Sequence, residues 1–172
     1  GELESNIKHE SITHVKADAS DVNQLREVFN THGKFHAVVH TIGVLFDSSS
    51  GLLEYNKYLS GSGSVPSDEA TYDEITRKTA YNAIDLAIEF SKMPPIVKQI
   101  PFIFISAAEA RWTQNTPLQF LERYLRAKRK VENKLLSNDT CVHVRPIVMR
   151  PSMIWTTSKP LGFLTTIPFY IS

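Results

Sequence analysis

Tyr124 and Lys128, in the run Tyr124-Leu125-Arg126-Ala127-Lys128, form the pair in this chain best suited to moving a proton. On a helix, residues at this spacing share a face, one turn apart. An ammonium within a few ångströms of a phenol favours the phenolate, because opposite charge stabilises the charged form. Such a phenol can act as acid or base toward a carbonyl or alcohol oxygen. Ser106 closes an apolar run, Pro101-Phe102-Ile103-Phe104-Ile105-Ser106, ahead of that helix. A hydroxyl at the end of a strand can reach toward the tyrosine oxygen and hold a substrate carbonyl. A Tyr-x-x-x-Lys spacing alone is common, and a serine at a strand end is also an ordinary turn residue. The setting therefore decides.

The elements that would carry these groups alternate. Ile12-Thr13-His14-Val15-Lys16-Ala17-Asp18 reads as a short strand ending in an acid. Ser20 is the expected cap of a helix with Val22, Leu25, Val28 and Phe29 on one face. Ala37-Val38-Val39-His40-Thr41-Ile42-Gly43 has the composition of a buried parallel strand. The stretch 47–67, rich in Ser and Gly, is too long for an ordinary connection and reads as a flexible insertion or functional loop. Gly61-Ser62-Gly63 within it is not a phosphate loop, since Pro66 stands where a third glycine would be and no strand precedes it. Residues 68–93 predict a long helix with Ile75, Thr79, Ala83, Leu86 and Phe90 at helical spacing, stopped by Pro94-Pro95.

Residues 101–106 predict a second buried strand, and Pro117 opens the helix of Tyr124, which runs to about Ser137. Residues 142–149 predict the last strand, with Cys141 at its start as a small buried hydrophobe and Arg150-Pro151 just beyond its end. Strand, helix, strand, helix, strand, helix, strand implies a parallel α/β sheet with right-handed crossovers. Ligands bind such sheets beyond the carboxyl ends of the strands. Asp18, Gly43, Ser106 and Pro151 all fall there.

The bounds are consistent with this. The 172 residues suit a single domain spanning 1–172, with a sizeable core. A net charge of +1 gives no global attraction to nucleic acid or an anionic membrane. Arg123, Arg126, Arg129 and Lys130 surround Lys128, but only Tyr124 is interleaved with them, so they read as a solvated helix face. The single cysteine allows no internal disulfide, and the six histidines are scattered without zinc spacing. No apolar run reaches the roughly 20 residues of a membrane span, and residues 161–171 read as a buried strand or a clipped helix in preference to a surface-anchoring segment. Trp112 and Trp155 pack in core or loops, or line a pocket for a ring or an isoprenoid tail.

Over residues 12–160 the sequence resembles the short-chain dehydrogenase/reductase superfamily, in its extended or atypical branch. Ala17-Asp18 resembles the acid after that family's third strand, and Val38 to Gly43 its fourth strand. Phe104-Ile105-Ser106-Ala107 carries the family serine, and Tyr124 with Lys128 the family tyrosine and lysine. Val148-Met149-Arg150-Pro151-Ser152-Met153-Ile154 resembles the Arg-Pro-Gly-x-Ile stretch on the nicotinamide side. Within the branch, residues 38–154 are most similar to two mitochondrial groups. One is the short-chain-dehydrogenase-like protein of coenzyme Q biosynthesis; the other is the nucleotide-binding accessory subunit of respiratory complex I.

The resemblance implies a Rossmann-like, doubly wound parallel sheet that binds NAD or NADP. Asp18, Thr41, Gly43, Lys128, Arg150 and Pro151 would then line the cofactor, and Tyr124, Lys128 and Ser106 would carry carbonyl–alcohol redox chemistry. It also implies a place on the matrix side of the mitochondrial inner membrane, in ubiquinone biosynthesis. The alternative it leaves open is a non-catalytic, nucleotide-binding scaffold among subunits of an inner-membrane complex. The family's first βαβ unit, with its Gly-rich phosphate turn, has no counterpart here. The expectation is therefore a fragment lacking roughly 50 leading residues, with weak or absent dinucleotide binding of its own. Thr76 stands near the family's relay asparagine, Asn82 lies off that register, and Ser152 replaces a glycine.

Overall fold

Three runs of β-branched and aromatic residues pair as one parallel sheet. They are β1 (Val38–His40), β2 (Ile100–Ile105) and β3 (Val144–Met149), in the order β1-β2-β3. Val38 lies beside Phe102 and His40 beside Phe104, while Phe104 also lies beside Val148. A computed structural model of the chain describes residues 12–33, 35–59, 66–67, 70–93, 99–111 and 119–151. α1 (Val22–His32) precedes β1; the short α2 (Asn56–Leu59) and α3 (Thr79–Ser91) lie between β1 and β2, and α4 (Gln119–Leu135) and α5 (Asn138–His143) between β2 and β3. The protein is thus mixed α/β with a small three-stranded parallel sheet.

Period-2 alternation sends Ile100, Phe102 and Phe104 to one face, each 4% exposed or less. There Phe102 and Phe104 meet Ala80, Ala83, Ile84 and Ala87 of α3, with Val131 and Leu135 of α4, while Ile100 packs with Leu86 and Phe90. Each large side chain buried in this way contributes about 1.5–3 kcal/mol. A second cluster joins α1 to α3 through the Phe29 and Phe90 rings, 5.2 Å apart and edge-on. Gly33 ends α1 where a Cβ would stand 2.6 Å from the Phe29 carbonyl oxygen, so the close approach needs glycine. On the other face of the sheet Val39 and Met149 are largely exposed.

Four elements differ from the sequence expectation. Residues 12–18 form no strand and are exposed. An isolated strand leaves its backbone groups to water and buries little, so local β preference does not suffice. The cap of α1 is Asp21, not Ser20: its Oδ1 accepts from the N–H groups of Asn23 (2.9 Å) and Gln24 (3.4 Å). Ser20 instead donates its N–H to the Asp18 carboxylate. The long helix starts as a π turn over Asp73–Lys78 before α3. Finally, Ser137 caps the short α5, so Cys141 lies in a helix, partly exposed, and β3 begins at Val144.

The described part of the 47–67 stretch has defined structure. It contains 3-10 turns at Ser48–Ser50 and Leu53–Tyr55 as well as α2. Asn56, 3% exposed, donates Nδ2–H to the carbonyls of Phe46 (2.6 Å) and Leu53 (3.0 Å) and accepts from the Phe46 N–H (3.2 Å). One side chain thereby takes up backbone groups that no strand pairs. The Gly61-Ser62-Gly63 run lies outside the described residues.

The position of the α1 cap is testable by urea unfolding. Asp21→Ala lowers the unfolding midpoint and leaves the slope unchanged, whereas Ser20→Ala leaves the midpoint in place.

Candidate functional site

The buried stripe of α4 reads Leu121, Leu125, Lys128, Val131, Glu132 and Leu135. Two charged residues therefore occupy positions where helical periodicity calls for apolar ones. Lys128, 4% exposed, donates from Nζ to the carbonyl oxygen of Ile105, the last residue of β2, at 2.8 Å. Its ammonium lies 5.0 Å from the centroid of the Phe104 ring and 5.7 Å from that of Tyr124. These contacts partly replace the water it has lost. Tyr124 and Lys128 thus do share one face of the helix.

Gly43, three residues past β1, faces this ammonium. A Cβ on Gly43 would stand 3.2 Å from Lys128 Nζ and 3.8 Å from Thr76 Oγ1. Thr76 belongs to the π turn, is fully buried, and its hydroxyl has no hydrogen-bond partner among the described residues. Single π turns inside helices frequently mark functional sites. Tyr72, just ahead of the turn, packs edge-on against Tyr124 at 5.8 Å and donates its hydroxyl to the Leu45 carbonyl. Val44, Tyr72 and Ala127 form a small apolar cluster here, with Ile75 and Tyr124 against it.

The electrostatics reverse one expectation. Burial, followed by the charge of Glu109 and by Tyr72, pushes the Tyr124 phenol up to about 12. Lys128 does not lower it, because the ammonium sits over the ring and is committed to the Ile105 carbonyl. The lysine is the group that shifts toward neutrality: burial pulls Lys128 down to about 8, and Glu132 opposes that pull.

His40, the last residue of β1, is a second polar group in the core, 5% exposed and stacked near Phe102 and Phe104. The Thr79 hydroxyl donates to the Ile75 carbonyl at 2.5 Å, so it can only accept from His40 Nε2, at 3.1 Å. The tautomer follows from this geometry: Nε2 carries the proton. Nδ1 is left buried without a partner among the described residues. Burial, then the Lys128 charge, pushes His40 down to about 4.

Ser106 follows β2 and is 4% exposed, with its N–H bonded to the Met149 carbonyl at 2.7 Å. Its Oγ is buried without a hydrogen-bond partner among the described residues. Arg150 forks onto Glu132, Nε to Oε1 at 3.0 Å and Nη2 to Oε2 at 2.6 Å. Pro151 accepts from the Ala108 N–H at 2.9 Å. Thr41 is exposed just beyond β1. Asp18 is exposed, and its neighbours Ala19 and Ser20 are tied to α3 by Asn82 Nδ2. Hydrogen bonds from Ser20 hold Asp18 below the usual carboxylate range. Trp112, Ser152 and Trp155 lie outside the described residues.

Sequence reasoning missed Glu132 and His40. Both carried a signal: each is a polar residue at a position that its element's periodicity assigns to the core. Among the described residues no three His, Cys, Asp or Glu side chains cluster as a metal site, and no helix is long and apolar enough to cross a membrane. No family model, curated protein or solved structure matches the chain.

Two pH dependences follow. His40 titrates near 4 folded and 6.5 unfolded, so its stabilising share is whole above 6.5 and lost as pH falls to 4. The loss is at most about 3 kcal/mol, and urea unfolding at stepped pH shows it disappear in His40→Gln. Lys128 titrates near 8 folded and 10.5 unfolded, so stability rises with pH across that window. In Lys128→Met the rise is absent.

Proposed function

We propose that this chain is an NAD(P)-binding protein of the short-chain dehydrogenase/reductase type. In that reading β1, β2 and β3 occupy the places of the fourth, fifth and sixth strands of a Rossmann-like sheet. The observation that carries it is the convergence of Lys128 Nζ, the Tyr124 ring and Gly43 at the carboxyl end of the strands.

The residues present fit the nicotinamide-ribose side of a dinucleotide. Gly43 leaves bare backbone beside Lys128, and the ammonium keeps donors beyond the one given to Ile105. Thr41 and Gly43 would lie along the cofactor, Asp18 toward its adenine and Pro151 on the nicotinamide side. Arg150 is engaged by Glu132 through Nε and Nη2, so a cofactor contact from it would fall to its remaining N–H donors. A bound nicotinamide supplies or accepts the hydride. Tyr124, which holds its proton at neutral pH, would be the group that donates it to a carbonyl oxygen. Lys128 fixes the ring and ribose side, and Ser106 orients the reacting oxygen. From the resemblance of residues 38–154, the reading extends to ubiquinone biosynthesis on the matrix side of the mitochondrial inner membrane.

A second reading is a nucleotide-binding scaffold among subunits of an inner-membrane complex. The raised Tyr124 pKa favours it, since a phenol near 12 is a sluggish acid.

Titration of nicotinamide mononucleotide, NADH and NADPH into isotope-labelled protein tests the binding site. Weak but saturable shifts at the Gly43 amide are expected, and Gly43→Val abolishes them. No saturable shift with any of the three removes the nucleotide reading. Tyr124→Phe then separates the alternatives. A loss of carbonyl reduction on the order of 10²–10⁴-fold supports the enzyme, whereas intact nucleotide binding without turnover in either form supports the scaffold.

A further inference from the structure

Lys128 is 4% exposed and carries its charge without an ion pair among the described residues. Lysines are almost never this buried unless paired. The acidic residues of its own helix are engaged elsewhere: Glu122 by Arg129, and both oxygens of Glu132 by Arg150. Burial pulls the amine down only to about 8, so at neutral pH it remains mainly an ammonium. Its N–H groups beyond the one given to the Ile105 carbonyl are left to donate.

A second donor stands close by. Thr76 is fully buried in the π turn, and its hydroxyl completes no hydrogen bond among the described residues. A hydroxyl left so destabilises the fold. A Cβ on Gly43 would lie 3.2 Å from Lys128 Nζ and 3.8 Å from Thr76 Oγ1, so both donors are within 4 Å of one point. Gly43 itself is exposed, and any side chain there would cover the two. Next to them lie Val44, Tyr72 and Ala127, with half-buried Ile75 and Tyr124 against that cluster. Two donors, one of them a cation, therefore meet apolar walls.

We propose that Lys128 and Thr76 clamp the carboxylate of a small organic acid beside Gly43. One carboxylate oxygen accepts from the ammonium and the other from the Thr76 hydroxyl, while the apolar body of the acid lies against Ile75 and Tyr124. A carboxylate supplies the counter-charge that Lys128 lacks and brings one oxygen for each donor. A neutral amide lacks the charge. A phosphate adds charge and oxygens that apolar walls do not meet. The inference goes beyond the nucleotide reading and does not require it, although both ligands would draw on Lys128.

Butyrate titrated into the full chain, followed by NMR at the Lys128 amine and the Gly43 amide, tests this. Saturable shifts are expected with butyrate, and weaker or no shifts with butyramide and inorganic phosphate. Lys128→Met abolishes them. Thr76→Val keeps the shape, removes the hydroxyl and weakens butyrate about tenfold; Thr76→Ser keeps the affinity. In the same Thr76→Val protein the urea midpoint rises, because an unpaired buried hydroxyl is gone. A purely structural threonine would lose stability together with binding. The proposal is overturned by no saturable shift with butyrate, by butyramide or phosphate binding as tightly, or by unchanged affinity in Thr76→Val. A lowered midpoint in Thr76→Val overturns it even where that variant cannot be titrated. No nucleotide is present, so failure here leaves the nucleotide reading standing, and a failed nucleotide titration leaves the carboxylate site standing.

Discussion

An ammonium group is buried where the helix packing of this fold would be satisfied by a methyl. Lys128 is held by the Ile105 carbonyl, roofed by the Phe104 and Tyr124 rings, and approached by bare backbone at Gly43. Taking a cation out of water costs several kcal/mol unless hydrogen bonds and opposite charge offset it. The surroundings of Lys128 are arranged to do so. One strand end offers its carbonyl as the acceptor, Glu132 lies one turn along the same helix, and the backbone beyond the neighbouring strand leaves room at a glycine.

That core does the positioning. Phe102 and Phe104 fix α3 and α4 on one face of the sheet. The helix periodicity of α4 then delivers Tyr124, Lys128 and Glu132 in a line over the end of β2. The π turn brings buried Thr76 to the same place. The His40–Thr79–Ile75 chain of hydrogen bonds ties the end of β1 to the start of α3. Three buried polar atoms without partners among the described residues, on His40, Thr76 and Ser106, lie on elements that converge at this end of the fold. Unsatisfied buried groups are destabilising, and their concentration here fits a region shaped for a ligand rather than for stability.

Much of the fold was legible because long periodic runs dominate it. Phe102 and Phe104 alternate as strand residues should, and Thr79, Ala83, Leu86 and Phe90 mark the buried face of α3. The Tyr124–Lys128 spacing placed both residues on one face because a helix imposes that from sequence alone. What sequence could not supply was context. Residues 12–18 have the composition of a strand but pair with no strand among the described residues. Asp21 outcompeted Ser20 as a cap through geometry that composition does not carry. The charge effect between Tyr124 and Lys128 was misjudged for the same reason. Spacing gives proximity, but only the structure reveals that the ammonium points to Ile105 and that burial governs the phenol. Glu132 and His40 were hidden because a polar residue in an apolar stripe looks like noise until its partners are seen.

The most direct test of this account is a hydrogen-bond scalar coupling experiment on the amine of Lys128. With the ammonium bound to the Ile105 carbonyl, a through-bond cross-peak links Lys128 Nζ to the Ile105 carbonyl carbon, and the amine protons exchange slowly. A rapidly exchanging amine with no such cross-peak, behaving like that of a surface lysine, would contradict it.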